Sequence, residues 1–213
     1  PHCRRQRQMC IRDSHYINGK KTSGSSTRKA DVFNPALGEK TAEVVMGVAA
    51  DVDAAVQAAK ASFPAWANTP PVRRARVIFK FLELVKRDKE KLAAAITSEH
   101  GKVFTDACGE VERGIEVLEF SCGMPALLKG EYSAQASTGI DNWTFRQPLG
   151  IAAGVTPFNF PVMVPMWMYP LAIAAGNCFI LKPSPTDPTA SLMMADLLAC
   201  LLYTSDAADD NVG

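Results

Sequence analysis

Residues 151–184 read IAAGVTPFNFPVMVPMWMYPLAIAAGNCFILKPS, and this stretch decides the fold. It opens with a short apolar run, 151–155, between Gly150 and Pro157, which is typical of a buried strand. Residues 162–175 predict a helix, and residues 178–181 predict a second buried strand. Strand, helix and strand at this spacing favour a parallel pair, because a crossover helix returns the chain in the same direction.

Two polar loops follow these predicted strands, TPFN at 156–159 and KPS at 182–184. In parallel sheets ligands bind at the carboxyl ends of the strands, so the two loops predict a binding site. Asn159 lies between two phenylalanines, and a buried amide without partners costs about 1–3 kcal/mol. We therefore expect a buried amide that is either kept for a ligand or used to hold the backbone of its loop.

Upstream, the chain predicts hairpins and then helices. Asn18-Gly19 indicates a tight hairpin turn, and Pro35 and Gly38 mark a second turn. Apolar residues spaced by three and four then predict helices from 51 to 68, from 71 onward, from about 90 to 101 and over 109–124. Asp51 is expected as the N-cap of the first of these helices.

Further local expectations follow from charge and proline patterns. Four basic side chains are expected on the solvated face of the second helix: Arg73, Arg74, Arg76 and Lys80. Residues 142–146 alternate like a strand with one exposed face. Asp187-Pro188 predicts an N-cap followed by the first residue of a last helix.

Composition excludes several classes of function. The chain has 213 residues, 47% of them hydrophobic, and a formal charge of +1, which argues against nucleic acid or an anionic membrane as the main partner. Prolines interrupt the longest apolar stretch, which is shorter than the roughly 20 residues that span a bilayer. The six cysteines form no CxxC pair and have no metal-ligand spacing with histidine, so we expect no metal site and a reducing compartment.

Both ends differ from the middle of the chain. Residues 1–14 are basic and aperiodic, and residues 201–213 change abruptly to small acidic residues. We expect a non-native leader at 1–14, a native domain at 15–200 and a non-native tail at 201–213. The alternative is that both ends are ordinary disordered tails.

The joint occurrence of TPFNFP and FILKPS resembles the aldehyde dehydrogenase superfamily. The strings GEVERGIEVLEF and HYINGK are also similar to its methylmalonate-semialdehyde dehydrogenase branch. The resemblance implies an α/β fold: the N-terminal part of an aldehyde dehydrogenase, with helices packed on a Rossmann-like parallel sheet. Residues 15–200 would be a truncated NAD-binding domain, including a strand of the oligomerisation arm near 133–147.

The resemblance also implies an activity and the residues that serve it. This branch oxidises methylmalonate or malonate semialdehyde with NAD through a cysteine thiohemiacetal, loses carbon dioxide and transfers the acyl group to coenzyme A. Asn159 matches the amide that donates to the developing oxyanion. Four residues match the cofactor cleft: Thr156, Phe158, Lys182 and Ser184.

Arg113 matches an arginine of this branch and would bind the carboxylate of the substrate, although an exposed helix arginine paired with Glu110 or Glu116 is the plain alternative. One departure concerns the cofactor. Many relatives have an acidic residue after KPS, whereas here Pro185 follows, which weakens the preference for NAD over NADP. The family's cysteine nucleophile would lie beyond this chain, so we expect the chain alone to be inactive.

Three readings of function remain open: this semialdehyde dehydrogenase, another NAD(P)-dependent aldehyde dehydrogenase, or a non-catalytic binding or assembly protein with the same fold. The resemblance further implies a homodimer or homotetramer at full length, with no nucleic acid and no membrane among its partners. It implies the cytoplasm of a bacterium, or the mitochondrial matrix of a eukaryote.

Overall fold

The computed structural model describes residues 14–205, with side chains through Leu201. Two antiparallel hairpins come first, as the turn signals predict. Asn18 and Gly19 have φ angles of 53° and 69°, the pair of positive values that a tight primed turn requires. The strands are β1 (His15–Ile17), β2 (Lys20–Thr22), β3 (Lys29–Asn34) and β4 (Glu39–Val45).

A run of helices follows the hairpins. These are α1 (Ala49–Asn68), α2 (Pro71–Arg87), α3 (Lys89–His100), α4 (Phe104–Cys122) and α5 (Met124–Leu127). Their apolar stripes meet in one core, in which Phe81, Ile96 and Leu118 are almost completely buried. The predicted boundaries at Pro71 and Gly101 are confirmed, and Gly101 ends α3 in the left-handed conformation that favours glycine.

Two predicted helix starts are wrong. Helix α1 begins at Ala49, and its N-cap is Val48 rather than Asp51. Asp51 lies in the first turn of the helix, and from there its carboxylate accepts the N–H of Val48. Helix α4 begins at Phe104 rather than near 109. The sequence misleads here because Gly109, a poor helix former, lies inside the helix instead of before it.

Arg74 is buried, which contradicts its predicted place on the solvated face of α2. Its guanidinium donates to the carbonyl oxygens of Ala174, Ala67 and Thr69, at 3.0, 3.3 and 2.6 Å. These carbonyls lie at or near the ends of α1 and α7, where the helix itself supplies no donor. Arg74 therefore joins the C-terminal ends of α1 and α7 through hydrogen bonds from its buried side chain.

The next segment is a projecting hairpin, β5 (Tyr132–Ser137) paired antiparallel with β6 (Ile140–Trp143). The predicted strand at 142–146 is thus displaced toward the N-terminus. Every residue of both strands is exposed, so the expected division into a buried and an exposed face is wrong as well. A two-stranded ribbon that packs on no other element of the described chain has no face to bury.

The decisive stretch forms the predicted parallel pair. Strand β7 (Ile151–Val155) lies beside β8 (Cys178–Lys182), in register from Ile151 opposite Cys178 to Val155 opposite Lys182. The connecting helix is two short helices, α6 (Met163–Met166) and α7 (Tyr169–Ala174), rather than one. Pro170 interrupts it, because proline has no N–H with which to continue the helical ladder.

Helix α8 (Thr189–Ser205) begins one residue later than predicted and continues past residue 200. Its first N–H is capped by a buried carboxylate of another helix: Glu99 of α3 accepts from Thr189 N at 3.0 Å and from its hydroxyl at 2.5 Å. The expected leader falls almost wholly outside the described residues, as does most of the expected tail. Across residues 14–205, no helix is both long and apolar enough to cross a membrane.

Candidate functional site

The carboxyl ends of β7 and β8 lie side by side, and this edge carries five of the six predicted site residues. The main-chain N–H of Thr156, the first residue after β7, donates to the carbonyl oxygen of Lys182, the last residue of β8, at 3.1 Å. The loops 156–162 and 183–188 leave the sheet from this point. The parallel sheet therefore brings together two loops that are more than twenty residues apart in the chain.

The two hydroxyl residues of this edge are buried. The Thr156 hydroxyl oxygen is inaccessible to solvent and has no hydrogen-bond partner among the described residues. The Ser184 hydroxyl accepts the N–H of Thr186 at 3.0 Å and so holds the turn after β8. Ser184 has a demonstrated contact within its own loop, whereas Thr156 retains its full hydrogen-bonding capacity.

Phe158 and Lys182 are exposed at the same edge. The Phe158 ring is 56% exposed and stacks on His100 at the end of α3, with 6.2 Å between ring centroids. Burial and the positive charge of Lys102 lower the pKa of His100. A cavity of about 280 Å³ opens beside this stack, lined by Asp31, Phe33, Pro35, Glu99, His100, Phe158 and Thr186.

Asn159 is exposed, which contradicts the expectation of a buried amide. Its main-chain carbonyl oxygen turns inward and accepts from the ammonium group of Lys102 at 2.9 Å. The loop is thus held by its backbone, and the side-chain amide points outward with no partner in the described part of the chain. Two uses of this amide were expected. The prediction that it holds the backbone of its own loop is wrong, and its donation to a ligand stays a prediction.

Lys102 and Glu110 hold this loop, and neither was predicted as a site residue. Glu110 of α4 is 1% exposed at its side chain and accepts from the N–H groups of Val162 and Met163, at 2.9 and 3.3 Å. Its other oxygen accepts from Lys102 at 2.6 Å. No local pattern indicates this role, because the partners are about fifty residues apart in the sequence.

Arg113 lies on the exposed side of α4. Its main-chain oxygen accepts from the indole N–H of Trp167 at 3.4 Å, so the residue lies next to the segment that follows the Asn159 loop. Among the described residues no ion pair joins its guanidinium to Glu110 or Glu116, and Glu110 pairs with Lys102 instead. The plain alternative, an intrahelical ion pair, is therefore absent.

Asp187 adds a buried ionisable group within the second loop. It is 1% exposed, and burial raises its pKa to about 7, helped by the negative charges of Glu99 and Glu110. The nearby Ser184 hydroxyl acts in the opposite direction and lowers the pKa, but neither carboxylate oxygen has a hydrogen-bond partner of ordinary geometry. The sequence indicated Asp187 only as a helix cap.

The remaining reactive groups are less suited to chemistry. Burial raises the pKa of the thiols of Cys122 and Cys178, which keeps both protonated at neutral pH. In residues 14–205 no three His, Cys, Asp or Glu side chains lie close enough together to hold a metal ion.

Known proteins with similar sequences share a family of names. The chain is 50% identical over 183 residues to malonate-semialdehyde dehydrogenase of Pseudomonas aeruginosa, covering 86% of this chain and 37% of that protein. It is 46% identical over 192 residues to the mitochondrial, acylating methylmalonate-semialdehyde dehydrogenase of Arabidopsis thaliana, covering 90% of this chain and 32% of the relative. The chain thus spans roughly a third of the length of these relatives.

A solved structure shares the fold. It comes from Sinorhizobium meliloti 1021, is provisionally named methylmalonate-semialdehyde dehydrogenase and contains NAD. It superimposes with a TM-score of 0.85 at 49% identity, covering 87% of this chain and 38% of that one. The model of the aldehyde dehydrogenase family matches residues 21–201, which include the end of the first hairpin, the whole of the second, the helical core and the parallel pair. The family model covers most of the chain and the solved structure has the same fold, so the chain belongs to the aldehyde dehydrogenase family.

Proposed function

We propose that the full-length enzyme carrying this chain is an NAD-dependent, CoA-acylating methylmalonate- or malonate-semialdehyde dehydrogenase. It would oxidise the semialdehyde, release carbon dioxide and form propionyl-CoA or acetyl-CoA. The observation that carries the proposal is the Asn159 amide, exposed at the carboxyl end of β7 while its backbone is held from within. Relatives of this name at 46–50% identity support the choice of substrate class.

Asn159 would donate its side-chain N–H to the aldehyde oxygen, on which negative charge develops when a nucleophile attacks the carbonyl carbon. A donor held in place before the reaction stabilises that charge without reorganising, and one such donor is worth about 2.7–4 kcal/mol. Exposure suits this role, because the donor must be accessible to the substrate.

The first test is Asn159→Ala in the full-length enzyme. We expect kcat to fall by about 10²–10³-fold, because the oxyanion loses one donor. Asn68→Ala is the matched control, since it removes an exposed asparagine amide from the end of α1, outside both loops of the sheet edge. Unchanged turnover of Asn159→Ala in a normally folded enzyme would contradict the catalytic role.

The cofactor proposal is supported by the groups at the sheet edge. NAD, when bound, accepts the hydride of the aldehyde. Lys182 offers an exposed ammonium group suited to the hydroxyls and phosphates of a dinucleotide, and Thr156, whose hydroxyl is buried, would line the cleft through its main-chain atoms. Ser184 and the Phe158 ring would shape the same cleft. Calorimetric titration with NAD and NADP would test the preference, and tighter binding of NADP would contradict it.

Arg113 would bind the carboxylate of the semialdehyde. Its guanidinium is exposed, lies on the helix that contacts Trp167, and offers paired donors suited to a carboxylate. Arg113→Leu is expected to raise KM for carboxylated semialdehydes by about tenfold or more, the value of one lost charge-assisted bond, and to spare simple aldehydes. An equal loss with both substrates would contradict this role.

Another aldehyde substrate is the second candidate, and comparison of kcat/KM across aldehydes would identify it. The chain alone is proposed to be inactive, since it spans only about a third of the length of the relatives that it matches. Formation of NADH by the isolated chain would contradict this. Tight binding of NAD by the full-length protein without turnover of any aldehyde would favour a non-catalytic protein.

A cytoplasmic or mitochondrial location is a further proposal, which fractionation of the source cell would test.

A further inference from the structure

Lys102 and Glu110 form an ion pair beneath the Asn159 loop. Their charged atoms are 2.6 Å apart, and their side chains are only 13% and 1% exposed. Removing charges from water is costly unless the pair and its remaining hydrogen-bonding atoms are satisfied. Among the described residues, the remaining hydrogen bonds of the pair all go to this one loop.

The pair holds the loop on both sides of Phe160-Pro161. On the N-terminal side, the Lys102 ammonium group donates to the Asn159 carbonyl oxygen at 2.9 Å and lies 4.4 Å from the centre of the Phe160 ring. On the C-terminal side, one Glu110 oxygen accepts the N–H groups of Val162 and Met163. These N–H groups open α6, where the helix supplies no acceptor of its own.

We infer that Lys102 and Glu110 are positioning residues that set the direction of the Asn159 amide, an inference that rests on the proposed function. The Asn159 side chain has no partner of its own in the described residues, so its direction follows from its backbone. That backbone is fixed through its carbonyl oxygen by Lys102, which is in turn fixed by Glu110. A donor to an oxyanion must lie within a few tenths of an ångström of its proper place.

The test is a double-mutant cycle in the full-length enzyme, using Lys102→Met with and without Asn159→Ala. Lys102→Met is expected to lower kcat by about ten- to a hundredfold, the cost of a misplacement near 1 Å, with KM for NAD nearly unchanged. In the Asn159→Ala background the same change is expected to have no further effect on kcat, because there is no amide left to position.

Three further variants separate positioning from general stability. Lys86→Met removes the exposed pair of Lys86 with Glu119, which joins α2 to α4 away from the loop, and is expected to leave kcat unchanged. Lys102→Arg keeps the cation and is expected to restore part of kcat. Hydrogen exchange at the Val162 and Met163 amides should quicken in Glu110→Gln, whose side chain keeps one neutral acceptor but loses the ion pair.

The outcomes are distinct. If Lys102→Met lowers kcat equally with and without the Asn159 amide, the positioning role is overturned while the proposed function stands. If Asn159→Ala itself leaves kcat unchanged, the proposed catalytic role falls and the inference with it. Should Lys102→Met not fold, the same cycle is run with Glu110→Gln, and additivity there overturns the inference equally.

Discussion

Asp187 shows how a single residue can make stability depend on pH. Burial, helped by the negative charges of Glu99 and Glu110, raises its pKa to about 7 in the folded chain, far above the ordinary value of 3.8. The folded state therefore binds this proton more tightly than the unfolded state. The stability that the protonated form contributes is fully present below about pH 4 and is lost as the pH rises through about 7.

Asp187→Asn should remove this dependence, because the amide has a similar shape and does not ionise. The variant is expected to become more stable than the parent as the pH rises from about 4 to 7, by about 1 to 4 kcal/mol, and the difference should then level off. Urea denaturation at a series of pH values measures it. Asp106→Asn, on the exposed side of α4, is the control. Parallel stability curves for Asp187→Asn and the parent would contradict the assignment.

At the scale of elements, α4 and α6 are held close by a glycine. A Cβ atom added to Gly114 would lie 2.1 Å from Cε and 3.3 Å from Cβ of Met166. Met166 is fully buried in the core, so its side chain has little room to move. The close approach lets the carboxylate of Glu110, one turn earlier on α4, reach the first N–H groups of the α6 segment.

Two glycines of the same helix allow a matched comparison. Gly114→Ala is expected to destabilise the fold by about 1–3 kcal/mol through overpacking against Met166. Gly109→Ala, on the exposed side of α4 with nothing within 4 Å of the new methyl group, is expected to stabilise it by about 0.5–1 kcal/mol. Thermal or chemical denaturation distinguishes them. Equal effects of the two substitutions would show that helix propensity, rather than packing, decides the result.

At the scale of the whole molecule, the β5–β6 hairpin is a surface on which several large apolar side chains are exposed. Tyr132, Ile140 and Trp143 are 63%, 57% and 65% exposed, and Phe145 just beyond is 68% exposed. Apolar groups exposed together typically mark a contact with another chain. The hairpin lies where the resemblance to the family implies an oligomerisation arm, near 133–147, and an arm at this place stays a prediction.

Trp143→Lys in the full-length enzyme should therefore shift the assembly toward smaller species, because a charge at the contact would have to be desolvated. Light scattering after size-exclusion chromatography measures the mass. Val72→Lys is the control, since Val72 of α2 is similarly exposed, at 56%, but lies outside the hairpin. An unchanged mass for Trp143→Lys would exclude the hairpin from the interface.

Local signals determined most of the fold. The Asn18-Gly19 turn, the boundary at Pro71 and the pair of apolar runs in 151–184 each depend on neighbours a few residues away, and the structure confirms them. The same pattern, with its resemblance to a family, predicted where two loops would meet at the sheet edge. Predictions that depended on burial were less accurate, as Arg74 and Asn159 illustrate, because burial depends on which surface of another element covers a residue.

By itself, then, the sequence determined the order of the elements, the parallel pair and the family. Only the tertiary structure decided which charges are buried and what they hold. Glu110 and Glu99 cap the starts of helical segments about fifty and ninety residues further along the chain. Such contacts leave no periodic pattern in the sequence, because helix propensity and hydrophobic periodicity depend on residues only a few positions apart. A buried carboxylate, by contrast, accepts hydrogen bonds from whichever N–H groups the folded chain brings to it.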